Sequence, residues 1–215
     1  MSYVVDIISH VRDDEFAKKW EVKVRQLCGF TGFCHAELFA KRQEIGEAGY
    51  DYLAAYCWSS EDFRREALER DFPGREIGGA TVERVTCGLA VELSKFSPHA
   101  HGSAWLVNPF EISDEEIVDV LDMWDKAKDH MVSRPGFVNA RLLRADGAIE
   151  RYGLVNLAQW ESADQFLHAL NDRAYEKHRE RSRQYKLHPS LCERVACIEG
   201  VSTNAAEVAV RERAQ

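Results

Sequence analysis

The 215-residue sequence predicts an α+β protein built from two tandem β-α-β-β-α-β domains. Three observations lead there. The first is an internal repeat. Trp20 is followed twelve residues later by Gly32-Phe33, and Trp124 is followed twelve residues later by Gly136-Phe137. An aromatic-led apolar run then ends in Trp in both places, YDYLAAYCW at Trp58 and YGLVNLAQW at Trp160. Ser-and-acid stretches follow, SSEDF and ESADQF, and the copies close on similar strands, Glu83-Arg84-Val85-Thr86-Cys87 and Glu193-Arg194-Val195-Ala196-Cys197. Landmarks that recur in one order about a hundred residues apart set the architecture before any single element does. The second observation is that hydrophobic periodicity switches between strand and helix in the same order in both copies. The third is size: a unit of roughly 95 residues buries only a modest core and gains by packing on a partner.

In the first copy, Tyr3 to Ser9 (YVVDIIS) is rich in β-branched residues and predicts a strand. From Asp13 to Leu27, Phe16, Trp20, Val24 and Leu27 recur at helical spacing, and Gly29 and Gly32 end that helix. FCHAELFAKR and YDYLAAYCW predict the next two strands, joined by a turn at Gly46 to Gly49. Ser59 to Arg70 predicts a short helix, PGREIGG a loop and TVERVTCGLAVEL a long last strand. In the second copy, SAWLVN predicts a strand broken by Pro109. Ser113 and Glu116 form a capping box ahead of a helix that presents Ile117, Val120, Leu121, Trp124, Ala127 and Met131 on one face. FVNARLLR and YGLVNLAQW predict a hairpin turning at Asp146-Gly147. Ser162 and Gln165 cap a stretch that predicts one helix, kinked or broken near Asn171-Asp172, and LCERVACIEGV is the last strand.

This order is the ferredoxin-like pattern, a four-stranded antiparallel sheet with both helices on one face. The bare face of each sheet needs cover. The two sheets are therefore expected to pack face to face, as an intramolecular pseudo-dimeric barrel. Expected boundaries are 1–93 for a degenerate, structural N-terminal domain, 94–102 for a linker, 103–201 for the C-terminal domain with the active pocket, and 202–215 for a flexible tail.

Composition excludes several classes. The net charge of -8 argues against nucleic acid as a partner. No run approaches the roughly 18 apolar residues of a membrane span. The N-terminus lacks the basic region of a signal peptide, so a cytoplasmic location is expected. Six cysteines without a C-x-x-C spacing read as reduced, buried thiols. His99 and His101 form an H-x-H pair in the linker with no carboxylate or thiol near in sequence, and no metal site is expected there. No dinucleotide fingerprint, P-loop, G-x-S-x-G or H-E-x-x-H motif occurs.

The second copy carries Asn108-Pro109-Phe110 at the end of its first strand, Pro135-Gly136-Phe137 before its second, and VNLAQWESADQF through its third. In these residues it resembles the antibiotic biosynthesis monooxygenase family of dimeric α+β barrels, over Ser103 to about Val201. The first copy matches only in outline. The resemblance implies an oxygenase that tailors a polycyclic aromatic polyketide, of phenol, anthrone or angucycline type, with O2. It implies Asn108, Asn156 and Trp160 as catalytic residues, with the amides steadying a phenolate or enolate. The implied substrate-binding residues are His178, Arg179, Arg181, Leu106, Phe110, Phe137 and Leu154.

No tightly bound cofactor is expected. Two mechanisms stay open: cofactor-free quinone formation, and oxygenation with ring C–C cleavage that uses reduced flavin (FMNH2 or FADH2) from a separate flavin reductase. A non-oxidative cyclase or isomerase and a non-enzymatic binding protein on the same fold also stay open, as does a further homodimer. Heme-degrading relatives use a helical His, for which His178 is the counterpart, but their helical Trp is missing near Ala169. Asn156 aligns with Ala54, and Asn108 falls near Ser9 or His10, so the working pocket is expected in the second copy.

Overall fold

The computed structural model describes residues 1–70, 72, 79–94 and 104–200. Most of the expected PGREIGG loop, the linker with His99 and His101, and the expected tail lie outside the described residues. The first half runs β1 (Ser2–Ser9), α1 (Phe16–Val24), a 3-10 turn (Arg25–Gly29), β2 (Phe33–Glu44), β3 (Tyr52–Trp58), α2 (Glu61–Glu69) and β4 (Thr81–Ser94). The second runs β5 (Ala104–Glu111), α3 (Ile117–Ser133), β6 (Phe137–Ala145), β7 (Tyr152–Trp160), α4 (Ala163–Leu170), a 3-10 turn (Arg173–Tyr175), α5 (Glu176–Ser182), the two-residue β8 (Lys186–Leu187) and β9 (Ser190–Glu199).

Eight strands close into one antiparallel ring, β1-β3-β2-β9-β5-β7-β6-β4 and back to β1. Within it the halves have matching internal orders, β4-β1-β3-β2 and β9-β5-β7-β6. The two sheets do not simply stack. Their edge strands pair, β2 with β9 and β4 with β6. Backbone groups at a sheet edge need partners, and pairing across the halves satisfies both edges at once. The inward faces then fill the ring with Tyr3, Val5, Ile7, Phe39, Leu53, Trp105, Val107, Val155 and Leu157. Helices cover the outward faces, so β1 and β7 are buried on both sides and read as unbroken apolar runs.

The repeat landmarks have physical causes. Gly32 and Gly136 both have positive φ, +76° and +83°. A Cβ at Gly32 would fall 2.3 Å from Phe63, and one at Gly136 would fall 2.3 Å from Gln165. Only glycine lets the following helix sit that close. Phe33 packs edge-on to Trp58 at 5.7 Å, and Phe137 packs edge-on to Trp160 at 5.5 Å.

The last landmark is out of step. By strand pairing, Ser94 and Glu199 hold matching positions, opposite Asn139 and His35. Cys87 therefore matches Cys192, not Cys197, and both face the ring interior. The likeness of the two E-R-V segments is not a structural correspondence. Pro109 also departs from expectation, because β5 continues through it to Glu111. Its carbonyl faces His188, and its missing N–H points to the same side, where β9 has stopped pairing after Val107. A proline costs no ladder bond there.

The capping boxes form only in part. Ser162 Oγ accepts from Gln165 N–H at 3.3 Å, but Glu116 instead reaches back to Ser113 N–H at 2.8 Å and α3 starts after it. All six cysteines are free: Cys57, Cys87 and Cys192 are buried, Cys28 and Cys34 half-buried, and Cys197 is exposed. Among the described residues no helix is long and apolar enough to cross a membrane.

Candidate active site

Successive residues of β7 point to opposite faces. Val155 and Leu157 enter the ring, while Leu154, Asn156, Ala158 and Trp160 face the helices of the second half. Between these strands and α3, α4 and α5 lies a cavity of about 490 Å³. That is ample for a drug-sized ligand, whose sites run from about 300 to 1,000 Å³. Its floor is Leu106, Asn108, Phe110, Asn156 and Ala158, and Met123, Trp124 and Met131 of α3 form a wall. Phe137, Trp160 and Phe166 close one end, and His178, Arg179, Ser182 and Arg183 stand at the α5 side. The first half contributes Ile45, Gly46 and Leu93.

Asn108 and Asn156 are direct register partners across β5 and β7, so their side chains lie side by side on one face. Both are buried, at 7% and 8% exposure. Asn108 Oδ1 accepts from the His188 backbone N–H at 3.0 Å. Asn156 Oδ1 is buried without a partner. An under-satisfied carbonyl is less costly than an orphaned N–H, which favours this amide orientation over the flipped one. Each side chain therefore keeps its NH2 for the cavity. No described residue accepts from either NH2.

Trp160 supplies a flat end wall, 1% exposed. Its Nε1 is buried and unpartnered, as is that of Trp58 at the matching place in the first half. The orphaned N–H thus does not mark the cavity. His178 stacks beside Tyr175 at 5.4 Å, and burial, helped by His130 and Arg181, holds its pKa below the usual value. Arg179 binds Asn171 and Glu176, and its Nε is buried without a partner.

Two expected residues lie elsewhere. Arg181 is turned away and pairs with Asp119 at 2.6 Å and Asp122 at 2.9 Å on α3. Leu154 packs in the core beside Phe110 and Ile112 and does not line the cavity. Sequence reasoning missed the first-half contacts, because nothing local ties Ile45, Gly46 or Leu93 to a site in the other half. It also missed Tyr175, Ser182, Arg183 and His188.

Among the described residues, side chains occupy the matching place in the first half. Tyr56 stands where Ala158 stands, and its hydroxyl accepts from Trp20 Nε1 at 2.9 Å. Trp20 is fully buried, whereas Trp124 is only half-buried. Phe72 packs on Tyr56 at 5.1 Å and on Trp58 at 5.7 Å. The residue matching Asn108 is neither Ser9 nor His10. Strand register makes it Asp6, opposite Ala54. Asp6 is fully buried and bonds Arg84 through both oxygens at 2.7 Å. Among the described residues, no three His, Cys, Asp or Glu side chains gather as a metal site would need.

This architecture has counterparts among solved structures. An anthrone oxidase-like protein superposes with a TM-score of 0.71 over 92% of both chains, at 13% identity. The chain shares that protein's fold. A provisionally assigned monooxygenase from Lactobacillus acidophilus NCFM gives a TM-score of 0.62 over 92% of this chain and 95% of its own, at 9% identity. A major regulator of staphylococcal pathogenesis gives 0.56 over 90% and 99%, also at 9% identity, so the same fold serves other roles. No protein-family model and no curated protein matches the sequence.

Proposed function

We propose that the chain is an oxygenase that binds a polycyclic phenol or anthrone, of aromatic polyketide type, in the second-half cavity and oxidises it with O2. The observation that carries this reading is the pair of adjacent amide NH2 groups, without protein acceptors, on the floor of a mostly apolar cavity. Such a pair fits an oxygen on which negative charge develops. His178, whose pKa burial, His130 and Arg181 hold below the usual value, takes the proton when the phenol or enol ionises. Asn108 and Asn156 donate to the resulting oxyanion. The carbanion-like ring carbon then passes one electron to O2, the two radicals combine into a peroxide that takes the proton back from His178, and loss of water from the resulting hydroperoxide leaves a carbonyl. Overall a CH2 and O2 give C=O and H2O, with no external reductant. Trp160 and Phe166 hold the flat ring system, and Arg179 faces its polar edge.

The architecture fits the same reading. Residues 1–93 and 103–201 act as two ferredoxin-like domains fused into a pseudo-dimer, supported by the matching strand orders and the mutual pairing of their edges. The first domain, its space filled, serves as partner and support. Residues 103–215 expressed alone would expose two unpaired sheet edges, and aggregation or self-dimerisation is the expected result.

The test is turnover of an anthrone by the purified chain. Quinone formation with oxygen uptake, unchanged by adding FMNH2 and a flavin reductase, supports the cofactor-free route. Turnover only with reduced flavin moves the chemistry to that cofactor. Turnover without oxygen points to a cyclase or isomerase, for which the same amides would steady an enolate. No turnover but tight binding leaves a binding protein.

A further inference from the structure

We propose that His188 is a positioning residue for Asn108, and that through it the first half of the chain sets the geometry of the second-half cavity. This rests on the reading of Asn108 as an oxyanion donor. His188 is buried at 7% exposure, in the connection between β8 and β9. Its backbone N–H lies 3.0 Å from Asn108 Oδ1 and 3.0 Å from the Pro109 carbonyl. With Oδ1 held, the Asn108 amide has one favourable orientation, because the flipped one would set NH2 against N–H.

The His188 peptide is itself held from two sides. Its ring Nδ1 lies 2.7 Å from the carbonyl oxygen of Glu47, in the first-half turn between β2 and β3. Its Nε2 lies 3.0 Å from Glu111 Oε2 at the end of β5. Both partners are acceptors, so a ring nitrogen that carries a hydrogen finds one on either side. Burial opposes charge on Glu111, but Lys186, Arg151 and His188 together hold its carboxyl down at about 2. The Tyr152 ring packs edge-on against the imidazole at 5.7 Å. Next along the chain, the Pro189 carbonyl accepts from Ile45 N–H at 3.2 Å and Gly46 N–H at 3.1 Å. A Cβ on Gly46 would press on Pro189 at 3.2 Å. Ile45 and Gly46 line the cavity themselves. One turn of the first half therefore closes the cavity and fixes the segment that orients its amide.

Two readouts on the full-length protein test this. In the wild type, a through-hydrogen-bond NMR correlation from the position-188 backbone N–H to the Asn108 side-chain carbonyl carbon is expected. It should vanish in His188→Ala. On an anthrone, His188→Ala should lower kcat by about 10- to 100-fold, the scale of lost supporting hydrogen bonds around an active group. KM should change little, and His188→Gln should recover part of the loss. The double variant His188→Ala/Asn108→Ala should be no slower than Asn108→Ala alone. A His188→Ala protein that keeps the correlation or the full kcat overturns the proposal, as does a double variant whose losses multiply. Should the wild type itself not turn over, the oxygenase reading fails while the NMR readout still decides the positioning. Should His188→Ala not fold, Glu111→Gln, which removes the charge on one side of the imidazole, carries the comparison.

Discussion

Asp6 and Asn108 occupy the same place in the two halves, yet one is sealed in an ion pair and the other opens on a cavity. Asp6 lies opposite Ala54 on β3, and Asn108 lies opposite Asn156 on β7. The Arg84 guanidinium occupies both oxygens of Asp6. The ion pair accompanies a half whose space is taken by Tyr56 and Phe72, and the two amides accompany the half where Ala158 leaves room.

Breaking that pair should cost stability and nothing else. Asp6→Asn leaves Arg84, with 9% of its side chain exposed, short of its counter-charge. Removing one partner of a buried ion pair typically costs about 3–5 kcal/mol. Urea unfolding should show a loss of that order, while kcat of the folded protein stays at the wild-type level.

The opposite is expected of the amides. Asn108→Ala and Asn156→Ala should each lower turnover by about 10² to 10³, the usual effect of losing one oxyanion donor. Both side chains border the cavity, so thermal midpoints should move little. Two variants with full activity on an anthrone would mean that the amides do not bind the reacting oxygen.

Ala158→Tyr copies the first half's solution onto the second. The new ring would enter the cavity beside Trp124, as Tyr56 lies beside Trp20. The protein should fold, with its hydroxyl able to accept from Trp124, and ligand binding by calorimetry should be lost. Binding that persists at wild-type strength would place the ligand elsewhere.

The seam between the halves should be acid-sensitive. Glu37 of β2, 3% exposed, pairs with Arg141 at 2.5 Å and Arg194 at 2.8 Å. Burial alone would raise its pKa, but Arg141, His35 and Arg194 together bring it to about 2, against 4.5 for a free Glu. A depressed carboxyl contributes stability that is fully present above about pH 4.5 and is lost as pH falls toward 2. Glu37→Gln should start less stable at neutral pH and show a shallower decline across that window. Glu111→Gln, altering the other carboxyl held at about 2, provides the comparison.

The element order was legible because its signals are local. Strand and helix periods, the glycines with positive φ and the Ser162 cap all act within a few residues. The closed ring was not legible, since edge pairing between β2 and β9 links residues 146 to 164 positions apart. Sequence likeness even misled at Cys87, because five residues of drift between β4 and β9 go unmarked where an E-R-V match recurs by coincidence. Resemblance pointed to Asn108 and Asn156, and both line the cavity. Asp6 as their counterpart, and His188 behind them, needed the register. Arg181 was misplaced because helical spacing does not say which carboxylates on α3 will capture it.

A cavity in the second half, with Tyr56 and Phe72 occupying the matching place in the first, leads to an expected stoichiometry of one ligand per chain. A ring assembled from two identical chains would present two equal sites, and occupancy of one could alter affinity at the other. Here both halves of the ring serve one cavity. Ligand titration should saturate at one equivalent per chain along a simple hyperbola, with no room for communication between twin sites. With both halves in one chain, each half can change without a mirror image changing too.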